Sequence, residues 1–369
     1  MRSLFTTGVD SVYGDTMPIV SIIIPVYNTS RYLEECLQSV TNQTLKDIEI
    51  ICIDDHSNDD SIKILDDYSK RDGRIIVKLH DKNCGLLKTR KDGVELASGE
   101  YILFLDSDDS LKEDACKELS ELMEKTNCDM IQFGTNVIPH ENADRKMTSH
   151  YIQYLKTPRK KLSKESIFKY QFSGLTNWHL WNKIYKADIC KKTYGSVQDR
   201  YMIVSDDLYA SFFFSYYADK MMSIKKKYYC YNIGRGYTNS NIDKVKQIRT
   251  ICDNSWLTCD CMDFLKNNGD YQRYGKYCFR GPLLQLDACL SILKGIDDEE
   301  SIKEGFELIT RCWNKDPFEK TYEECLSDNK WKRIKRHIKD FGIIDTLKVS
   351  VHMISFRIGR LLIQFSLRT

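Results

Sequence analysis

The sequence of 369 residues lacks any long apolar run. No segment approaches the roughly 18 consecutive apolar residues that a transmembrane helix requires. The opening residues, MRSLFTTGVDSVYGDT, also lack the apolar stretch of roughly 7–15 residues found in a secretory signal. The sequence therefore predicts neither a membrane-spanning helix nor a secretory signal. It indicates a tail over residues 1–16, ahead of a patterned region that starts at Met17.

An excess of charge of either sign is missing as well. Lysine and arginine together number 55, against 53 acidic residues, which gives a formal net charge of +2. A nearly neutral chain exerts no overall attraction on nucleic acid, so we expect no nucleic-acid partner. Basic segments occur at 156–164, 225–227 and 330–339, and we interpret them as solvated surface.

Paired cysteine motifs are absent although the chain has 14 cysteines. No C-x-x-C occurs, which disfavours a zinc site or a thioredoxin-type site. Several cysteines lie in apolar segments, where a free thiol packs as a small hydrophobic group. The pattern predicts a reducing, cytoplasmic compartment.

Two glycine-rich phosphate-binding motifs are also absent. The chain has no G-x-G-x-x-G after its first apolar run and no G-x-x-x-x-G-K-[ST] anywhere. Dinucleotide-dependent oxidoreductases and P-loop nucleoside triphosphatases are therefore disfavoured. If phosphates bind, we expect a metal ion rather than a glycine loop to hold them.

Short strand-like runs alternate with segments of helical period from Val20 to about residue 136. The strand-like runs are VSIIIPV, stopped at Pro25, then IEIICI, RIIVKL, YILFL and CDMIQFG. The helical segments cover about 29–40, 59–71, 86–97 and 110–125. This order predicts an α/β fold with a mostly parallel sheet and helices on both faces.

The pattern weakens after residue 136. Residues 139–165 are polar and basic and predict a loop, SDDLYASFFFSYYA predicts a helix, and KKKYYCYNI predicts a strand. The pattern is helical beyond residue 246. We therefore divide the chain into residues 17–135, 136–245 and 246–369.

Polar clusters follow three of the predicted strands: PVYN after the first, DDHS after the second and DSDD after the fourth. In open α/β sheets the ligand crevice lies beyond the carboxyl ends of the strands, so these clusters should converge. Asp106, Ser107 and Asp108 offer oxygen ligands that suit a hard divalent cation, Mg²⁺ or Mn²⁺. The alternative is that Asp108 or Asp109 caps a helix beginning near Leu111.

Four further groups each have a structural alternative. Asp55 could accept a hydrogen bond from a base N–H or a ribose hydroxyl, or could cap the next helix. Arg90 suits a phosphate contact, or is a solvated helix charge. Asp206 and Asp207 include a candidate general base, or are acidic residues favoured at a helix start. Trp178 and Trp181 could stack on a sugar ring, or could pack in the core.

The segments SIIIPVYN, IICIDDHSNDDS, NCGLLKTRKDG and SGEYILFLDSDD, in this order, resemble family 2 glycosyltransferases with the GT-A, Rossmann-like fold. The resemblance covers about residues 18–135. A weaker similarity in WNKIY, SDDLY and YNIGRGYTNS points to bacterial polysaccharide-assembly members. It implies that 17–135 is the nucleotide-sugar-binding half of the domain, that 136–245 is the acceptor-binding half, and that 246–369 is a C-terminal helical region.

The resemblance implies an inverting transfer of a sugar from a nucleotide diphosphate, usually UDP-linked, to a hydroxyl of a glycan or lipid-linked acceptor. Its implied donor-binding residues are Pro25, Tyr27, Asn28, Asp55 at the uracil, Arg90, Asp106 at the ribose, Ser107, Asp108 and Arg235 at the diphosphate. Asp108, with Asp106, is the implied ligand of Mn²⁺ or Mg²⁺. Asp207 is the implied catalytic base, with Asp206 as a competitor because this chain has Ser205-Asp206-Asp207 where the family often has Glu-Asp.

The C-terminus adds an expectation about location. In residues 347–369 apolar residues form a stripe on one face of a predicted helix, and three arginines lie on another face. A basic amphipathic helix of this kind can lie on a membrane surface. The alternative is a final helix packed on the core or on a partner subunit in a homodimer. We therefore expect a cytoplasmic protein, peripheral on the inner face of the membrane.

Two rival functions remain. A nucleotidyltransferase that makes sugar nucleotides would need a glycine- and arginine-rich loop after the first strand, and PVYNTSRYLEE has none. A non-catalytic sugar-nucleotide-binding or scaffold protein of the same fold would bind UDP without turnover.

Overall fold

The computed structural model describes residues 17–140, 145–155, 157, 160–171, 178–202, 205–235, 253, 256–257 and 260–278. The chain divides into two compact units. The first comprises residues 1–171 and 176–242, and the second comprises 172–175 and 243–369. The predicted tail, the proposed surface helix 347–369 and its homodimer lie outside the described residues and stay predictions.

The first half of the first unit alternates strands and helices as predicted. In chain order the elements are β1 (Val20–Val26), α1 (Ser30–Thr41), β2 (Ile48–Asp54), α2 (Ser61–Arg71), β3 (Ile75–Leu79), α3 (Leu86–Leu96) and β4 (Tyr101–Phe104). The four strands are parallel, in the order β3-β2-β1-β4. Every residue of β1 and β2 is buried, as expected for a sheet that is covered on both faces.

The second half adds five strands and five helices. They are β5 (Ser110–Leu111), α4 (Ala115–Thr126), β6 (Met130–Pro139), α5 (Arg145–Tyr154), β7 (Lys160–Ser163), α6 (Lys164–Gln171), β8 (Lys183–Lys186), α7 (Ala187–Ser196), α8 (Asp206–Tyr217) and β9 (Lys220–Ile233). In the second unit, α9 spans Tyr271–Cys278.

All nine strands belong to one sheet with the order β3-β2-β1-β4-β8-β6-β9-β5, and β7 pairs with β9. The pairing directions make β5, β7 and β8 run against the other six strands. The sheet is therefore mixed but mostly parallel, and the predicted fold class is confirmed.

Three details of the sequence prediction were wrong. Pro25 does not end β1, which continues to Val26. Leu105 N–H donates to Ile23 O, so the backbone polar groups of Ile23 point towards β4. The backbone nitrogen of Pro25, two residues further along the strand, points to the same side, but β4 ends at Phe104. The missing N–H of Pro25 therefore costs no ladder hydrogen bond.

The other two corrections lie further along the chain. The helix predicted from residue 110 begins at Ala115, because Ser110 and Leu111 pair with β9 instead. The loop predicted over 139–165 contains α5 and β7. Two of these elements, β5 and β7, form by pairing with β9, which lies far away in the sequence.

The described residues include no helix with the length and apolarity needed to cross a membrane. The eight cysteines whose side chains are described are all free thiols, and seven of them are buried.

Candidate functional site

The three polar clusters meet at one edge of the sheet. Asn28, after β1, donates its backbone N–H to Ser57 Oγ, after β2, at 2.9 Å. Thr29 Oγ1 donates to Ser107 Oγ, after β4, at 3.0 Å. The predicted convergence of the strand ends is therefore confirmed by direct hydrogen bonds between the loops.

The loop after β1 combines a buried start with an exposed tip. Pro25 is buried within β1, and the ring of Tyr27 is 45% exposed. Asn28 has a positive φ of 51°, a conformation that asparagine tolerates better than most residues. Its side-chain oxygen accepts the Asn58 N–H at 2.7 Å. The fixed turn leaves the Tyr27 ring at the open edge of the site.

Arg90 is at the centre of the site. It lies on α3, which packs closely on β1: a Cβ on Gly93 would come within 2.4 Å of Ile23 Cγ2. The guanidinium donates from Nη2 to Asp106 Oδ1 at 2.9 Å. Nη1 donates to Asp206 Oδ2 at 2.6 Å and to Asp207 Oδ1 at 2.5 Å.

One cation thus joins the end of β4 to the start of α8. The Arg90 side chain is 1% exposed, so it is not a solvated helix charge. Its pairing brings together four of the predicted site residues, although Arg90 and Asp206 are 116 positions apart. Direct contact of Arg90 with a phosphate stays a prediction.

The two adjacent carboxylates at the start of α8 differ in environment. Burial raises the pKa of Asp206, and its side chain is 10% exposed. For Asp207, burial acts in the same direction, but the charges of Arg90 and His179 outweigh it and lower the pKa. The Asp207 side chain is 22% exposed. Asp207 is therefore the more accessible and more readily ionised of the pair.

Sequence reasoning missed His179 and Lys183. His179 Nδ1 lies 3.5 Å from Asp207 Oδ2. The buried ammonium of Lys183 donates to the His179 carbonyl and to Asn182 Oδ1, and burial lowers the pKa of Lys183 to about 7. Both residues lie in the segment WHLWNKIY, but no spacing in that segment distinguishes them from core residues.

The two tryptophans of this segment have different surroundings. Trp181 is 3% exposed and stacks with the rings of His179, Tyr229 and Tyr231, at centroid distances of 4.7, 4.4 and 5.4 Å. These contacts favour the packing role for Trp181. Trp178 is half-buried, with its indole N–H donating to Gln171 O at 2.8 Å. An acceptor contact at Trp178 stays a prediction.

The loop after β4 is held by β9. Asp109 is buried and accepts hydrogen bonds from Tyr229 Oη at 2.8 Å and from the Asn232 N–H at 2.7 Å. The Tyr229 hydroxyl also accepts the Asp106 N–H at 3.2 Å. Asp109 therefore fixes the loop to β9, and it does not cap α4, which starts at Ala115.

Asp108 is the partly exposed carboxylate of this loop. No other described residue donates a hydrogen bond to its side chain. Burial raises the pKa of Asp108 to about 6, and the charge of Asp106 acts in the same direction. Two adjacent carboxylates, one of them without a donor among the described residues, fit the oxygen ligands that Mg²⁺ or Mn²⁺ prefers.

Asp55, at the end of β2, belongs to a second network. Its carboxylate accepts the N–H groups of Cys84 and Gly85 at 2.7 and 2.8 Å, and His80 Nδ1 lies 2.7 Å from it. The other ring nitrogen of His80 lies 2.8 Å from Asp92 Oδ2. Sequence reasoning missed His80 and Asp92, since both stand in unremarkable polar surroundings.

Arg235 follows β9 and lies against α1. Its Nη1 donates to Glu35 Oε2 at 2.6 Å, and its guanidinium lies 4.9 Å from the centroid of the Tyr32 ring. Its charge acts to lower the pKa of Asp108. A contact of Arg235 with the diphosphate stays a prediction.

Comparison with known proteins agrees with this architecture. The crystal structure of Staphylococcus aureus TarS residues 1–349 in complex with UDP-GlcNAc has a related fold, with a TM-score of 0.52. The two sequences are 16% identical, and the match covers 84% of this chain and 92% of the TarS chain. The α/β sheet with acidic residues at the carboxyl ends of its strands, together with this likeness, shows the GT-A fold.

The sequence comparisons give the family. Residues 21–193 match the model of glycosyl transferase family 2. An uncharacterized glycosyltransferase of Bacillus subtilis, EpsJ, is 35% identical over 185 residues, which are 48% of this chain and 50% of EpsJ. The GalNAc(5)-diNAcBac-PP-undecaprenol beta-1,3-glucosyltransferase of Campylobacter jejuni is 34% identical over 161 residues, 43% of this chain and 50% of that protein.

Over residues 21–193 the chain thus resembles glycosyl transferase family 2, and its sheet has the GT-A fold. It spans about half the length of these two curated relatives.

Proposed function

We propose that the chain is an inverting, metal-dependent glycosyltransferase. It moves a sugar from a nucleotide-diphosphate donor, a UDP-sugar, to a hydroxyl of a glycan or lipid-linked acceptor in surface polysaccharide biosynthesis. The observation that carries this proposal is the Arg90 cluster, in which Asp106 from the donor side and Asp207 from the start of α8 share one guanidinium. The carboxylate proposed for the donor side and the one proposed as general base therefore contact the same guanidinium.

Asp207 is the proposed general base. An inverting transfer needs a group that takes the proton from the acceptor hydroxyl as that hydroxyl attacks opposite the leaving diphosphate. Arg90 and His179 lower the pKa of Asp207, so its carboxylate is unprotonated at neutral pH and is present in the form that a general base requires. Asp206, more buried and with a raised pKa, is assigned to holding Arg90.

Asp108 and Asp106 are the proposed metal ligands. A divalent cation bound there would supply positive charge against the charge that develops on the leaving diphosphate. The carboxylates themselves bring negative charge to a half-buried loop, and β9 holds that loop in place through Asp109. This fixed backbone keeps the ligands at the end of β4 before the donor binds.

The remaining donor contacts follow the edge of the sheet. We assign the base to Tyr27 and Asp55, the ribose side to Asn28 and Ser107, and the diphosphate to Arg235. Because the Arg90 guanidinium is already paired with three carboxylates, we assign it an indirect role in which it orients Asp106 and Asp207.

The acceptor class comes from the relatives. The Campylobacter jejuni relative is named for an undecaprenol-linked acceptor, and TarS was crystallised with UDP-GlcNAc. These names support a nucleotide-sugar donor and a glycan or lipid-linked acceptor for this chain.

A panel of UDP-sugars tests the proposal. Release of UDP is measured with Mn²⁺ and with a chelator, for the wild type, Asp207→Asn and Asp108→Ala. We expect Asp207→Asn to lower turnover by about 10²–10⁴-fold, the usual size of a general-base contribution. We expect Asp108→Ala and the chelator to remove activity.

Asp60→Ala is the matched control, since the Asp60 carboxylate is exposed and makes no capping hydrogen bond. Turnover that survives both the chelator and Asp108→Ala would refute the metal assignment. Tight UDP binding by a folded protein that turns over no sugar would favour the non-catalytic alternative.

A further inference from the structure

His80 lies between two carboxylates directly after β3. Its backbone N–H donates to Asp54 O at 2.9 Å, which extends the pairing of β3 with β2 and brings the ring beside Asp55. Nδ1 is 2.7 Å from Asp55 Oδ1, and Nε2 is 2.8 Å from Asp92 Oδ2. The ring is 6% exposed, so water does not compete for these contacts.

Both contacts require the ring to donate. Ionised carboxylates only accept hydrogen bonds, and an imidazole donates from both nitrogens only when it is protonated. The hydrogen bond to Asp55 is the largest influence on the His80 ring and raises its pKa, and the contact with Asp92 adds to that effect against burial. The geometry therefore fits an imidazolium between two carboxylates.

The charges around the network maintain this state. Lys88 Nζ donates to Asp92 Oδ1 at 2.5 Å, and Lys78 Nζ lies 3.2 Å from Asp92 Oδ2. Burial opposes ionisation of Asp55, but its hydrogen bonds with His80, Cys84 and Gly85 outweigh burial and lower its pKa. Asp55, which directly follows β2, and Asp92, from α3, thus both stay ionised beside His80.

The hydrogen bonds of Asp55 leave it one position for a ligand. Oδ1 accepts from His80 and from the Cys84 N–H, which uses both of its lone pairs. Oδ2 accepts only the Gly85 N–H among the described residues. One lone pair of Oδ2 remains, and it can accept a hydrogen bond but cannot donate one.

We propose that His80 is a positioning residue that, as an imidazolium bridging Asp55 and Asp92, holds the Asp55 carboxylate so that Oδ2 selects a base with a ring N–H donor. This inference rests on the proposed function, because it takes the donor's base to bind at Asp55. Uracil offers a ring N–H at N3, whereas cytosine offers an acceptor at the same ring position. His80 therefore contributes to choosing the nucleotide although it does not touch it.

A metal ion does not explain the same residues. The ligand atoms of Asp55, His80 and Cys84 lie within 4.8 Å of one another. Both ring nitrogens of His80, however, face carboxylates at hydrogen-bond distance, so neither has a lone pair directed at an ion. Cys84 Sγ contacts the Lys82 carbonyl instead.

Two measurements on the whole chain test the inference. The first is the ¹⁵N spectrum of the histidine side chains of the wild type at about pH 7.5. The His80 signals are assigned by their absence from the spectrum of His80→Gln, and we expect them to show a ring protonated on both nitrogens. The second is calorimetric affinity for UDP and for CDP. Glutamine is neutral, so it cannot donate a charged hydrogen bond to each of the two carboxylates. We therefore expect His80→Gln to weaken UDP binding about tenfold and to leave CDP binding unchanged.

Asp92→Asn is the second variant, because it keeps His80 and removes the outer carboxylate. It should lower the UDP-over-CDP preference in the same direction. His56→Asn is the matched control: its exposed imidazole has no hydrogen-bond partner among the described residues, and asparagine tolerates its positive φ of 67°. We expect wild-type affinities for this control.

The outcomes separate the two claims. If the wild type prefers UDP but His80→Gln and Asp92→Asn keep that preference, the role of His80 is refuted and the proposed function stands. A neutral His80 ring at this pH refutes it as well. If the wild type binds no UDP, the proposed function fails and the inference fails with it.

Discussion

Arg90 supplies one positive charge to three carboxylates at the centre of the site. Three carboxylates around one buried cation leave an excess of negative charge, so removal of the cation would leave three acids in contact without compensation. Breaking a buried ion pair by removing one partner typically costs about 3–5 kcal/mol. We therefore expect Arg90→Gln to lower the free energy of unfolding by about this amount, measured by urea denaturation.

Arg74→Gln is the control for a less buried arginine. Arg74 forms a local pair with Asp72 two residues away and also donates to the Thr41 carbonyl. We expect Arg74→Gln to lower the free energy of unfolding by about 1 kcal/mol, because the side chains of Arg74 and Asp72 both retain access to water. If Arg90→Gln unfolded at the same urea concentration as Arg74→Gln, Arg90 would not be holding the site together.

At the scale of elements, β9 supports the loop that follows β4. Tyr229 uses one hydroxyl to accept the Asp106 N–H and to donate to Asp109. Tyr229→Phe removes both bonds inside a buried region, where an unsatisfied polar group costs about 1–3 kcal/mol. We expect a matching loss of stability and weaker UDP binding in the presence of Mn²⁺, since Asp106 and Asp108 lie in this loop.

The neighbouring residue provides the control. Tyr228 donates its hydroxyl to Glu118 on α4 and does not contact the loop after β4 through that group. Tyr228→Phe should therefore change stability without changing UDP affinity. Equal effects of the two substitutions on UDP affinity would contradict a specific role for Tyr229.

Elements with local patterns were predictable, and those that depend on distant partners were not. The apolar face of α1, formed by Leu33, Cys36, Leu37 and Val40, follows from helical period and is buried as predicted. Ser110 and Leu111 have no local feature that distinguishes a strand from a helix. Their strand conformation comes from β9, more than 100 positions away, and this pairing also gives Asp109 its role.

At the scale of the molecule, the meeting of the strand ends was predictable because parallel strands end at one edge of the sheet. The pairing of Arg90 with Asp206 and Asp207 was not, because no sequence pattern relates α3 to α8. Burial was also undetermined at single residues: Trp178 and Trp181 are three positions apart, and only the second is fully buried. The sequence therefore predicted which acids lie at the strand ends, whereas the structure shows which cations pair with them.

The network around His80 should also affect the stability of the whole fold in a pH-dependent way. The pKa of His80 is raised in the folded protein, so its contribution is fully present below the unfolded pKa of about 6.5 and is lost as the pH rises through the folded value. Asp55 and Asp92 have lowered pKa values and stay ionised throughout that range. The difference in melting temperature between the wild type and His80→Gln should thus be largest near pH 6.5 and should shrink as the pH rises through the folded pKa of His80. Differential scanning calorimetry of both proteins measures this difference, with His56→Asn as the control for loss of an exposed histidine. A difference that stays constant over the range would mean that His80 is not charged in the folded state.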